Sequence, residues 1–121
     1  MTAHVSHVQM GAYMSRGSLE AFIHRLSKRA RRELVRLAVV ASGNSQEALA
    51  EEVKVTRQSI SKFVSGRAHP SDDTMARILG VIASGSPYVR REAARILREE
   101  MEAVVSGYAA ALELLGPDSE S

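Results

Sequence analysis

Four side chains within a six-residue stretch carry the most specific chemistry in this sequence: Arg57, Gln58, Ser61 and Lys62. All four can donate hydrogen bonds. Arginine or lysine can reach the O6 and N7 acceptors of guanine, and glutamine can pair with the N6 and N7 edge of adenine. No acidic residue lies between Lys54 and His69, so the stretch suits a polyanionic surface. Any soluble helix turns polar residues outward, so these four gain meaning only through the elements that hold them.

Those elements are legible from Ser45 to Pro70. Ser45 can cap a helix, and Leu49, Ala50 and Val53 follow at offsets of three and four on one face. Lys54 and Val55 break the pattern, and Thr56 offers a second N-cap. Ile60, Phe63 and Val64 then define another apolar face that ends at Gly66. Two short helices in such a pair share a small joint core. Ala50 permits close approach where they cross, and Val55 and Ile60 fill the angle between them. In a helix-turn-helix of this kind the second helix enters the major groove and its first residues meet base edges.

Gln46, Leu49, Ala50, Val53, Val55, Thr56, Ile60, Ser61, Gly66, Pro70 and Ser71 together resemble, without a gap, the pattern of the lambda-repressor and Cro-like (Xre) helix-turn-helix family. The resemblance spans roughly residues 30–83. It implies a bundle of about five helices that binds operator DNA as a dimer. Carried over by position, it implies that Arg57, Gln58 and Lys62 read bases with help from Ser61. Gln46, Lys54, Thr56 and Arg67 would face phosphate. One position departs from the family: Lys54 stands in a turn where glycine is usual, and a non-glycine residue at positive φ costs roughly 1 kcal/mol or more. Either the turn is reshaped, or Lys54 accepts strain while pointing at phosphate.

Composition agrees with a helical protein. Of 121 residues, 45% are apolar but only 4% aromatic, which favours a core of Ala, Val, Leu and Ile. Cysteine is absent, excluding a disulfide framework and any thiolate-held metal. No apolar run approaches the roughly 20 residues needed to span a bilayer, and no signal-peptide core is evident. The expected location is cytoplasmic, at the nucleoid. The net charge of +2 conceals a division: residues 1–69 hold 11 Lys or Arg against 5 Glu, and residues 70–121 hold 5 Arg against 9 acids. The reader lies in the basic half. No glycine-rich phosphate loop, carboxylate cluster or paired nucleophile suggests catalysis, and no cofactor is implied.

The flanks read as follows. Residues 1–17 have little periodicity and form a mobile arm; His4 and His7 lack a third ligand, so no metal site is expected. Residues 18–83 form the DNA-binding domain, with the reader at 45–66. Leu19, Phe22, Ile23, Leu26, Ala30, Leu34, Leu37, Ala38 and Ala41 recur at helical spacing, as one long helix or two in sequence. Its crowded arginines are a solvated face or phosphate contacts, and Arg31 and Arg32 are candidates for additional DNA contacts. Ser71 caps a helix closing the bundle through Met75, Ile78, Leu79 and Ile82.

After a Ser-Gly-Ser joint, residues 86–116 form a long helix, and 117–121 a tail. Ala94, Leu97, Met101, Val104, Tyr108, Ala111 and Leu115 follow the a and d pattern of about three heptads. Leu97, Met101, Val104, Tyr108 and Leu115 form a seam for a homodimer or a partner protein, unless the helix folds back on residues 19–29. The expected architecture is therefore all-α: a lambda-repressor-like bundle with an N-terminal helical extension and a long C-terminal helix. The expected function is a bacterial or phage repressor of double-stranded DNA. The alternative is an antitoxin-type protein whose last helix binds a partner while the reader controls its own promoter.

Overall fold

The computed structural model describes residues 15–116, and these form six helices with no strand among them. They are α1 (Ser15–Arg25), α2 (Lys28–Ala41), α3 (Gln46–Val53), α4 (Arg57–Ser65), α5 (Asp72–Ala83) and α6 (Pro87–Leu115). His4, His7 and the tail 117–121 lie outside the described residues. Of residues 1–17, expected as a mobile arm, Ser15–Gly17 belong to α1 and the others lie outside the described residues.

Caps fix where five of the helices begin. The side-chain oxygens of Ser27, Ser45, Thr56, Ser71 and Ser86 accept hydrogen bonds from the backbone N–H three residues on. Each satisfies one of the orphan donors of a first turn, a contribution of about 1 kcal/mol. The periodic stretch 19–41 is two helices, since Leu26 and Ser27 interrupt it and Ser27 restarts the chain as a new N-cap.

The centre of the bundle is α2, which packs against α3, α4, α5 and α6. Its Leu34, Val35 and Ala38 are fully buried among Leu49, Val53, Ile60, Met75 and Ile78. Only α5 packs along α1, so the N-terminal extension is attached at one side. Leu19, read as an inward position, is 48% exposed; Ile23 and Leu26 do the burying. The joint between α5 and α6 lies close on α2: a Cβ at Gly85 would stand 3.1 Å from the Ile82 carbonyl oxygen and 3.2 Å from the Ala41 Cβ.

Two halves of α6 differ sharply. Val89, Ala93 and Ile96 are buried, and the Glu100 carboxylate accepts hydrogen bonds from the Ser27 N–H (2.9 Å) and hydroxyl (3.0 Å). A carboxylate at the start of α2 is favoured by the positive end of that helix's dipole. Beyond Glu100, every residue to Leu115 is exposed. The far half of the helix does not fold back along residues 19–29: α6 does not pack on α1, and it meets that stretch only at its end, through Glu100 on Ser27 and the start of α2. The expected seam is divided accordingly. Leu97 rests partly on the chain's own core, whereas Met101, Val104, Tyr108 and Leu115 are exposed.

Candidate nucleic-acid interface

The turn between α3 and α4 sets the geometry of the site. Lys54 adopts φ 62°, ψ 46°, and the Val55 N–H donates to the Ala50 carbonyl at 3.0 Å. The turn is thus not reshaped; a lysine occupies the left-handed conformation. For a residue with a Cβ that conformation costs about 1–2 kcal/mol. Lys54→Gly relieves it but frees the unfolded chain by about 0.4–1 kcal/mol. The expected net gain is below about 1 kcal/mol, read as a small rise in Tm, and any simultaneous loss of DNA affinity reports the lysine's charge.

From that turn, Thr56 caps α4 by accepting from the Ser59 N–H at 3.0 Å, and its hydroxyl donates to the Ser59 Oγ at 2.9 Å. Ile60 and Phe63 face the core. Since helical neighbours at three and four residues share a face, burying these two leaves Arg57, Gln58 and Lys62 exposed along the other side. None of the three side chains has a hydrogen-bond or ion-pair partner among the described residues. Ser61 lies between the faces and is half-buried, less available than its neighbours. Gln46 opens α3 half-exposed, Lys54 is exposed, and Arg67 is exposed with its Nε donating to the Ser65 Oγ at 3.0 Å. The predicted base-facing groups thus lie along α4, and the predicted phosphate-facing groups at the start of α3, in the α3–α4 turn and just after the end of α4.

Arg31 does not join them. Its side chain is buried beneath α1 and the start of α5, where it donates to the carbonyl oxygens of Ile23 (2.6 Å) and Pro70 (2.9 Å) and to Asp72 Oδ1 (2.8 Å). With its donors used inside the protein, it is corrected from a DNA contact to a structural clamp. The hydrogen bond from Arg31, followed by that from His24 (3.0 Å), holds the Asp72 carboxyl below its ordinary pKa.

Arg32 is likewise engaged. Its Nε donates to the Val64 carbonyl at 2.9 Å, and Arg36 Nη2 reaches the same oxygen at 3.2 Å. The guanidinium of Arg32 lies over Gly66 at φ 83°, where a Cβ would come within 3.2 Å of its Nη1. Two cations at the C-terminus of α4 satisfy a free carbonyl and complement the dipole there. Arg77 does the same for α3, donating to the Val53 carbonyl at 3.2 Å. The candidate reader is thus held at its rear by arginines from α2 and α5. Arg36 and Arg77 were not assigned this role from sequence, since the carbonyls they reach are 28 and 24 residues away.

Residues 35–84 match the family model described as helix-turn-helix. Over that segment, 50 of the 121 residues, the chain is similar to lambda-repressor-like helix-turn-helix domains, a DNA-binding family. The matched segment begins within α2 and ends just after α5, leaving α1 and α6 as additions to it. Neither the curated proteins nor the solved structures gave a match for this chain. No helix among the described residues is long and apolar enough to cross a membrane, and no group of three or more metal-ligating side chains occurs among them.

Proposed function

We propose that this protein is a transcriptional repressor that binds a specific double-stranded operator as a homodimer, with α4 in the major groove, and acts by occluding polymerase. Its site of action would be the cytoplasm, at the nucleoid. The observation that carries this reading is the unpartnered set Arg57, Gln58 and Lys62 on the exposed side of α4, in a domain of a DNA-binding family. Arg57, Gln58 and Lys62 would read base edges, with Ser61 assisting from the margin. Gln46, Lys54, Thr56 and Arg67 would fix the register on phosphate, since phosphate contacts position and base contacts specify.

Selection from random duplexes tests the assignment. Lys62→Ala or Gln58→Ala should relax preference at particular base pairs, each lost bidentate contact removing about 1–3 kcal/mol of discrimination. Gln46→Ala or Arg67→Ala should weaken all sequences alike. An unchanged preferred site for Lys62→Ala would show that this lysine does not read bases.

Ionic strength gives a second check. Binding should weaken steeply with salt, with log K falling by about 0.9 per phosphate neutralised for each unit of log salt. Lys54→Ala should flatten that slope by about one per protomer, whereas Gln46→Ala should leave it nearly unchanged. The exposed end of α6 also suits a second reading, an antitoxin-type protein that binds an unrelated chain there. Copurification of such a protein, lost on deleting residues 101–115, would favour it.

A further inference from the structure

Between α1 and α6 lies an open apolar groove of about 670 Å³. Ala21, Phe22 and Leu26 line one wall and Ala94, Leu97 and Met101 the other. The chain's own residues 101–115 cannot fill it, because they continue straight on from the helix that forms the second wall. They project about 22 Å at 1.5 Å per residue, carrying Val104, Tyr108, Leu112 and Leu115 exposed by 44–68%. An apolar groove and an uncovered apolar helix end thus occur on one chain.

We propose that the groove of each protomer receives the C-terminal half of α6 from a second copy of this chain, the two α6 helices running antiparallel about a two-fold axis near Met101. The proposal rests on the homodimer reading above and specifies its contact. Charge sets the direction. Residues 87–98 carry four Arg and one Glu, whereas residues 99–115 carry four Glu and no Lys or Arg. An antiparallel pair centred on Met101 lays residues 104–115, whose single charge is Glu113, along the basic residues 87–98 of the other copy and keeps the two sets of arginines apart. A parallel pair sets arginine against arginine and leaves the groove empty. Glu99, Glu100 and Glu102 meet their counterparts near the centre in either arrangement. Arg25 and Arg98 stand on the groove walls without an ion-pair partner among the described residues. The entering segment brings Glu102 near Arg98 and no cation, while Glu100 of the groove has its carboxylate held by Ser27; Glu113 falls beyond the groove, beside Arg90 and Arg91. Size agrees as well. Ala94 and Tyr108 lie seven residues either side of Met101, so the pairing places a 60%-exposed tyrosine over an alanine in each half.

Because the chain contains no cysteine, cross-linking tests the register directly in the full-length protein. Ala94→Cys and Tyr108→Cys in one chain stand about 21 Å apart along the helix, beyond the roughly 7 Å Cα limit for a disulfide. Any bond between them must therefore join two copies. The expected result is a covalent dimer on mild oxidation of the double variant, formed at least tenfold more efficiently than by either single variant. Efficient dimerisation by Tyr108→Cys alone would show a parallel pair and overturn the proposal. A monomer in sedimentation of the unmodified chain at about 50 μM would overturn it too, whether residues 1–14 or an unrelated protein fills the groove. In a second variant, Tyr108→Glu should weaken dimerisation at least tenfold without loss of helix content; unchanged dimerisation would count against the groove contact. Binding to a half-site duplex separates the two readings. If the half-site is bound and no cross-link forms, the groove assignment falls and DNA recognition stands; if dimers form and no duplex is bound, the reverse holds.

Discussion

Replacing Arg31 with alanine is expected to destabilise the fold by about 3 kcal/mol, because hydrogen bonds from a charged donor to buried acceptors contribute about 1.5–3 kcal/mol each and are not additive. The side chain is 8% exposed and joins Ile23, Pro70 and Asp72 across three segments. The Ile23 carbonyl keeps a second donor, the Leu26 N–H at 3.1 Å. No other donor to the Pro70 carbonyl is found among the described residues, so it would be left buried and unsatisfied. At about 4 °C per kcal/mol for a domain of this size, Tm should fall by roughly 10 °C or more. Arg31→Lys should recover only part of this, since an ammonium cannot reproduce the fork of donors that reaches four acceptors, the carbonyls of Ile23, Leu26 and Pro70 and the Asp72 carboxylate. Lys62→Ala, on an exposed face, should leave stability within about 0.5 kcal/mol of the parent and change only DNA discrimination. A normal melting curve for Arg31→Ala combined with weakened DNA binding would restore Arg31 as a phosphate contact.

That contrast shows how far sequence reaches in this protein. Where a role is fixed by neighbours in the chain, it could be read. Ser45, Thr56, Ser71 and Ser86 were identifiable as caps or helix starts because a cap acts within three residues, and the apolar faces of α3, α4 and α5 follow from helical spacing. Arg31 and Arg36 offer no such local signal. One is buried against Pro70 and Asp72 and the other is exposed beside Val64, yet both stand in the same basic run. Which one is buried is decided by the packing of α1 and α5 against α2. Helical spacing also favoured Leu97 and Tyr108 equally on α6. The bundle covers the helix only to about Glu100, so one packs at home and the other does not.

Deleting residues 101–121 should leave a folded domain and lower affinity for a palindromic operator by about 10²–10⁴-fold. The first half follows from where burial ends. The last buried residue of α6 is Ile96, and the last side chain tying it to α2 is Glu100. Nothing in the core is removed, and Tm measured on dilute protein should change by only a few degrees. The second half follows from linkage. Joining two readers makes the second binding event intramolecular, with an effective concentration set by the connection, and this gain disappears when the copies separate. Affinity for an isolated half-site should therefore be unchanged by the deletion, while the steep preference for two half-sites about 34 Å apart is lost. Equal loss on half-site and full site would mean that the distal helix supports the reader itself. That outcome would conflict with its exposure along the whole stretch from Met101 to Leu115. If the full-site affinity survives, the two readers must be coupled elsewhere, and the basic, one-sided attachment of α1 to α5 becomes the surface to test.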